Sequence, residues 1–597
     1  MRKLFLLFGV CAIVSGGSLH AQLSKGGLPL SFQDKTIYNS MPVATYANPD
    51  WDAFLQQEKE QTGTNHPLQV ALLTGTDFGF PQSGQLITLD NGQKIWRGKI
   101  QISGAPAIGL LYDRFFLPKG VRMFLSNANQ KQVMGAFDHS NNIEDGVFSS
   151  DAIQGDVITV ELNIDANVDL NNIKLHIDKA MVFHRAIEHL KLYSISGDQP
   201  LDQIDAQLNG RSSVCNINAI CPQGTGYGNN RTATVQIIHS DGSACSGTLV
   251  NNTGNTTASC KPYILTASHC NQSGSEDANN PFNQYLVRFN FENSACTGGA
   301  AATTSHTLQG VRKVARSAYS SATPADQTKG DFMLYELLQN IPTAAGATLS
   351  GWNNSPSIAN SYTAPKKFIG FHHPYGDNKK LSTTQAMQSA DVGASGSHWE
   401  ILWNEGYAAP GSSGSGLFNA DGVLVGIASV AGEYQPPASC KVDAFGATVY
   451  AMDAVYYSKF AYDWDYSVDG AATTRKLKPW LDPANTGATT VATVKSDCSA
   501  ANTTSVNTVS RDLSDNISVY PNPATGYHVQ LQYNLQAATN LSITLYDVTG
   551  KAVYQAEVLK AQSGMKKLDV SSLPNGIYLV KVAAEDGFAT KKIMIQR

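Results

Sequence analysis

Three residues in this chain are of types that could together break an acyl bond. Ser413 lies inside Pro410-Gly411-Ser412-Ser413-Gly414-Ser415-Gly416, a stretch of small residues followed by the apolar run Val423–Ile427. Glycines serve where a backbone must turn tightly or approach a substrate closely. A serine in such a turn can expose its hydroxyl, while the N–H groups of Gly411 and Ser413 aim at one bound carbonyl as an oxyanion hole. Serine is a weak nucleophile. It needs a base within hydrogen-bond reach, and the base needs a partner that fixes its tautomer. His269 ends the apolar run Tyr263-Ile264-Leu265-Thr266-Ala267-Ser268, and Asp331 heads Phe332-Met333-Leu334-Tyr335. Each alone reads equally well as a loop residue. Together, each at the end of a strand-like run, they read as base, orienting acid and nucleophile.

The order His, Asp, Ser is that of the chymotrypsin-type triad and not of the subtilisin or α/β-hydrolase types. Further stretches join these: Cys215-Asn216-Ile217-Asn218 with Cys221-Pro222, Cys245-Ser246-Gly247-Thr248-Leu249-Val250, Phe371-His372-His373-Pro374, and Trp480-Leu481-Asp482-Pro483. Residues of roughly 210–490 thereby resemble trypsin-fold serine peptidases, and specifically the bacterial lysyl endopeptidase family. The resemblance implies two six-stranded β-barrels with the site in the cleft between them, and His269 and Asp331 from the first, Ser413 from the second. It implies disulfides Cys215–Cys440, Cys221–Cys296 and Cys245–Cys270, leaving Cys260 and Cys498 to pair or stay free. It also implies cleavage after lysine. The segment Cys440-Lys441-Val442-Asp443 is similar to the one that carries the family's lysine-binding aspartate, so Asp443 is the expected pocket acid. Tyr407 fills the position six residues before the nucleophile and supplies no charge, which leaves Glu405 and Glu433 as the other acids in reach.

Two features depart from relatives. Ser412 stands where mammalian trypsins carry the aspartate that receives a new N-terminal ammonium, so that switch has no carboxylate there. Ser429 stands near where some family members carry a histidine.

The remaining chain must position and deliver this site. Its 597 residues exceed one domain, and 15% charged residues with 51 glycines suit an exported, β-rich protein. The formal net charge is −5 without a basic block, which argues against nucleic acid as a partner. Arg2 and Lys3 precede the apolar run Leu4–Val14, and small residues lead to Ala21, as in a secretory signal over 1–21. No later stretch is apolar enough to span a bilayer. Eight cysteines follow Cys11, in keeping with an oxidising compartment. Their spacing lacks the close Cys-x-x-Cys pairs of a zinc site, and adjacent His372 and His373 on a strand would face opposite ways, so no metal and no cofactor is expected.

Residues 22–211 hold alternating runs, among them Gln85–Leu89, Lys94–Ile102, Ile108–Tyr112, Val121–Leu125 and Val157–Ile164, separated by turn signals. They are expected to form a β-sandwich. Phe116–Val121 with Gly135-Ala136-Phe137 resembles pro-regions of secreted peptidases, a permanent binding domain being the alternative. The segment Ile187–Leu208 is expected to be a polar connector, with maturation near Gly210 or Arg211. The peptidase domain spans 212–494, and a Ser/Thr/Asn/Asp-rich linker 495–515. From 516, Tyr520-Pro521-Asn522-Pro523, Gly576-Ile577-Tyr578 and Lys591-Lys592-Ile593 resemble the C-terminal sorting domain of the type IX secretion system, an immunoglobulin-like sandwich.

The whole therefore reads as all-β: a secreted, monomeric serine endopeptidase made as a zymogen. Its partners would be polypeptide substrates and, through its C-terminal domain, the outer-membrane secretion machinery. The competing readings are an inactive peptidase-fold adhesin and an active serine peptidase of different specificity.

Overall fold

The computed structural model describes residues 24–33, 41–51, 53, 54, 56, 68–195, 212, 216–271, 282–297, 306–317, 329–431, 441, 442, 448, 449, 454–465, 472–501, 516–548, 551–584 and 587–597. The signal segment 1–21, Cys11, Gly210, Arg211, Cys215, Glu433, Cys440 and Asp443 lie outside the described residues.

The fold is all-β, with short helices only. In the N-terminal region, strands such as Val157–Ile164 carry apolar side chains at alternate positions, Ile158, Val160, Leu162 and Ile164, and all four enter the shared core. Two sheets result. One places Lys94–Gln101, Val157–Ile164 and Val121–Asn127 side by side, and the other Ala107–Phe116, Lys174–Phe183 and Ala71–Gly79. Side chains from both sheets, among them Phe78, Trp96, Tyr112, Met123, Leu125 and Ile158, share one core. A turn at Asn91-Gly92 joins two of the strands, and Gly92 takes φ +82°, a left-handed conformation open to glycine.

The central region follows with two larger sheets. In the first the order is His306–Gln309, Leu286–Phe289, Thr234–Ile238, Ser243–Val250, Tyr263–Thr266, Met333–Leu337, Val311–Arg316. The second contains Phe368–His372, Gly416–Phe418, Leu424–Ala431, Val455–Lys459 and Ala394–Ile401 in that order. Six strands were expected in each. Among the described residues the first sheet has eight, the seven above and Leu68–Gln69 of the N-terminal region, which pairs with Ser243–Val250, and the second has ten.

Two boundaries differ from expectation. Residues 187–193 are not a loose polar connector: a 3-10 turn spans Glu188–Tyr193, and Ile187, His189 and Leu190 are buried. The first residues of the expected linker are held in place, since Lys495 pairs with Thr348 and Cys498 is bridged to Cys260.

The C-terminal region forms a separate unit with its own five-stranded sheet and core, which includes Leu531, Ile543, Val580 and Ile593. Its long strands are His528–Tyr546, Ala552–Asp569, Gly576–Ala584 and Gly587–Ile595. Among the described residues no helix is long and apolar enough to cross a membrane.

Candidate active site

Strand pairing brings the histidine and the aspartate together. Tyr263–Thr266 and Met333–Leu337 run antiparallel with Thr266 opposite Met333, so the turn carrying His269 and the residue heading the second strand meet at one end. His269 Nδ1 lies 2.6 Å from Asp331 Oδ2, and the His269 backbone N–H donates to Oδ1 at 3.1 Å. An ionised carboxylate only accepts, so the ring proton sits on Nδ1 and Nε2 keeps a lone pair. Cys245 and Cys270 are disulfide-bonded, which ties the histidine turn to the neighbouring strand.

Asp331 is fully buried, and its carboxylate is saturated with donors. Ser268 Oγ donates to Oδ1 at 2.9 Å and Ser429 Oγ to Oδ2 at 2.7 Å. Behind it, the Asp331 N–H donates to Ser458 Oγ at 3.2 Å, and Ser458 Oγ donates to Asp463 Oδ2 at 2.8 Å. Burial alone would raise Asp331. The facing His269 and these hydrogen bonds overcome it and hold the carboxyl well below its usual range. For His269 burial works against the charged ring, but the charge of Asp331 prevails and raises it above the ordinary imidazole value. Asp463 is raised well above the ordinary carboxylate value by burial and by nearby Asp331, against one bond from Ser458.

The Ser413 loop docks against the same strand end. The Ser246 N–H donates to Ser413 O at 2.9 Å, and the Gly414 N–H to Ala428 O at 2.8 Å. Gly414, at φ +80°, sits so close to Thr266 and Ala267 that a Cβ would lie 2.0 Å from Thr266 Oγ1. Only glycine fits there, and the fit seats Ser413 beside the turn that holds His269. Gly411 takes φ +91°, and a Cβ on it would lie 2.7 Å from His373 O. The N–H groups of Gly411 and Ser413 donate to no other described residue, and Ser413 is half-buried. No hydrogen bond joins His269 Nε2 to Ser413 Oγ, and Nδ1 alone of the ring nitrogens is engaged, by Asp331.

The place of the trypsin activation carboxylate is filled by neutral groups. Ser412 Oγ accepts from the Ala409 N–H at 3.0 Å and contacts His372 Nδ1 at 2.8 Å, while His372 Nε2 contacts Ser382 Oγ at 3.0 Å. Burial, helped by Lys380, pushes His372 down to about 3. His373 faces elsewhere, with Nδ1 3.0 Å from Asp377 O and its ring stacked on Phe291. The two rings serve separate structural bonds, and among the described residues no cluster of His, Cys, Asp or Glu fits a metal ion.

Glu405 is engaged by Thr383 Oγ1 at 2.9 Å. Cys221 and Cys296 are each disulfide-bonded, and Cys260 pairs with Cys498. Sequence reasoning missed Ser268, Ser458 and Asp463 altogether, and noted Ser429 only as a departure. Ser429 lies at a register shift between Ala428 and Val430, and a bulge of this kind re-aims a side chain. No alternation in sequence marks it.

The family model described as lysyl endopeptidase, C-terminal domain matches residues 209–445, and that of the secretion system C-terminal sorting domain matches 518–596. Over 209–445 the chain is thus similar to lysyl endopeptidases, and over 518–596 to secretion sorting domains. Lysyl endopeptidase of Pseudomonas aeruginosa is 27% identical over 375 residues, spanning 60% of this chain and 73% of the relative. The central region is thus peptidase-related, and the tail marks the chain for export to the cell surface or the medium. Two solved structures also align at 9% identity: chicken CNTN1 FN1-FN3 domains, over 59% of this chain and 97% of that one with a TM-score of 0.12, and the BSP domain of a biofilm associated protein, over 90% and 83% with a TM-score of 0.13. At such scores neither likeness carries an argument about the fold.

Proposed function

We propose that this lysyl endopeptidase relative is a secreted serine endopeptidase that cuts on the carboxyl side of lysine. Ser413 attacks the scissile carbonyl, His269 takes its proton and returns it to the leaving amine, and Asp331 holds the ring and stabilises the imidazolium. The Gly411 and Ser413 N–H groups stabilise the oxyanion. A water activated by His269 then hydrolyses the acyl-enzyme. The observation that carries this reading is the buried 2.6 Å contact of His269 Nδ1 with Asp331, beside a serine loop with two unengaged N–H groups.

Lysine specificity rests on the sequence resemblance and on Asp443, the expected base of the pocket. A carboxylate there gains a charge-assisted bond from a lysine ammonium and is left unpaired by a neutral side chain. Discrimination on the order of 10³-fold follows, with arginine accepted less well because of its planar head. The domain reading goes with it: a signal over 1–21, a pro-region to 211, and a zymogen matured near Ser212. So do the disulfides Cys215–Cys440 and Cys221–Cys296 and the monomeric state. Peptide mapping of a digested standard protein tests activity and specificity together. Cuts confined to lysyl bonds, lost in Asp443→Asn, are expected; cuts after other residues, or an unaffected Asp443→Asn, would reject the assignment and make Glu405 the next candidate.

A further inference from the structure

Lysine and arginine are spread unevenly along this chain. Lysine is much the commoner of the two, yet none occurs between Lys191 and Lys261, and none between Lys495 and Lys551. These stretches contain the two borders of the peptidase domain proposed above. The first holds Arg211 and Arg231, and the second only Arg511. A pocket that selects lysine therefore meets no matching bond at either border.

The lysines on either side of these stretches are held in structure. Lys191 lies in the 3-10 turn Glu188–Tyr193, after buried His189 and Leu190, and its carbonyl accepts from the Ser194 N–H at 3.3 Å. Lys261 stands between Cys260, bridged to Cys498, and Pro262. Lys495 pairs with Thr348, and its N–H donates to Ser499 O at 2.9 Å. Arg231 is held too, in the helix Gly228–Ala233, where its N–H donates to Tyr227 O at 3.0 Å. At the first border that leaves Arg211.

The residue after Arg211 is anchored. The Ser212 N–H donates to Asp377 Oδ2 at 3.2 Å, and its Oγ reaches the same oxygen. Asp377 is buried, with Lys380 Nζ 3.2 Å from Oδ2 and the Asn378 N–H donating to Oδ1 at 2.7 Å. It follows the turn Pro374–Gly376, where the Tyr375 N–H donates to Pro410 O at 2.6 Å, beside Gly411. Hydrolysis of the bond before Ser212 adds one water and leaves an Arg211 carboxylate and a Ser212 ammonium. The ammonium keeps its place on Asp377 as a charge-assisted bond. A cut one bond later would remove Ser212 and this anchor from the matured chain.

We propose that both borders are closed to the chain's own active site, and that the activating cut, at Arg211–Ser212, is made in trans by an arginine-directed endopeptidase. The inference rests on the lysine specificity proposed above.

In the test, full-length Ser413→Ala is the substrate. The wild-type chain, cut with an immobilised arginine-specific endopeptidase and freed of it, is the enzyme. N-terminal sequencing follows the piece that starts at Ser212. The arginine-specific endopeptidase should release it from the substrate. The cut wild-type enzyme should release it at least about tenfold faster once Arg211→Lys is added to the substrate, since a pocket fitted to an ammonium takes a planar guanidinium less well. Equal rates with and without Arg211→Lys would overturn the proposal, as would a piece starting elsewhere within 197–211 or an Arg211–Ser212 bond that the arginine-specific endopeptidase leaves whole. A standard protein digested in parallel separates this from the lysine reading. A standard left whole, or cut after arginine as readily as after lysine, would sink that reading and this proposal with it. Cuts confined to lysyl bonds, beside equal release of the Ser212 piece from both substrates, would defeat this proposal alone.

Discussion

The N-terminal sandwich and the corner around Asp331 are both sealed from water, but they are filled with opposite kinds of atoms. The sandwich interior is Trp96, Phe78, Leu162 and their neighbours, almost wholly apolar, with few polar atoms to match, such as Trp96 Nε1, which donates to Pro81 O at 2.9 Å. The corner is His269, Ser268, Asp331, Ser458, Asp463 and Ser429, each buried and each joined by a specific bond. Apolar burial is non-directional and tolerates change of shape at moderate cost. A buried polar cluster is costly unless every member is matched, so it fixes geometry. The first kind of core builds a stable body. The second holds one carboxylate and one imidazole in one arrangement.

That difference can be broken from either side. The largest effect should come from His269→Ala or Ser413→Ala. Each should lower kcat/KM by about 10⁴- to 10⁶-fold, since a triad acts as a unit, and Ser413→Ala should leave the unfolding midpoint near wild type. More than about a tenth of wild-type activity in His269→Ala would remove it from the role of base. In the sandwich the pattern should invert. Leu162→Ala should lower stability by about 3 kcal/mol in urea unfolding and leave kcat of the folded fraction unchanged.

Smaller changes sharpen the contrast. Ser429→Ala deletes one donor to Asp331 and should cost about tenfold in kcat with KM little changed, the scale of one hydrogen bond to a charged group. An equal loss on replacing a sandwich serine would show that the corner is not special.

The smallest effect is on pH dependence. His269 is raised above its unfolded value of about 6.5, so its share of stability is complete below that pH and is lost as pH rises through the folded value. Asp331 is depressed, so its share is present above about 3.9 and lost as pH falls through its folded value. The pair should therefore stabilise most between roughly pH 4 and 6.5. Activity should rise with pH through a value above 6.5, where His269 becomes a neutral base. Urea midpoints at several pH values in wild type and His269→Ala would reveal whether this window exists.

What could be read from the sequence follows the same division. Strands with alternating apolar residues announced themselves. Val157–Ile164 was located to the residue, and Lys94–Gln101 to within one, because period-two burial leaves a trace in any sequence. The candidate site was legible where chemistry imposes composition: small residues around Ser413, and apolar runs ending at His269 and before Asp331. The supports of Asp331 were not. Ser429 reaches it through a bulge, and Asp463 from a short helix over a hundred residues away, where neither residue type nor spacing carries a signal. Leu68–Gln69 was missed because two residues show no periodicity. The Cys260–Cys498 bridge closes over a separation of 238 residues, and pairing at that range depends on the tertiary fold.

The central claim is that Ser413 is a nucleophile activated by the buried His269–Asp331 pair. Reaction of the matured protein with a fluorophosphonate probe, followed by mass spectrometry of its peptides, tests it most directly. One adduct is expected, on Ser413, absent from Ser413→Ala and slowed by several orders of magnitude in His269→Ala. Folded, matured protein that takes up no label, or takes it up at another serine, would contradict the account and favour a peptidase fold kept for binding alone.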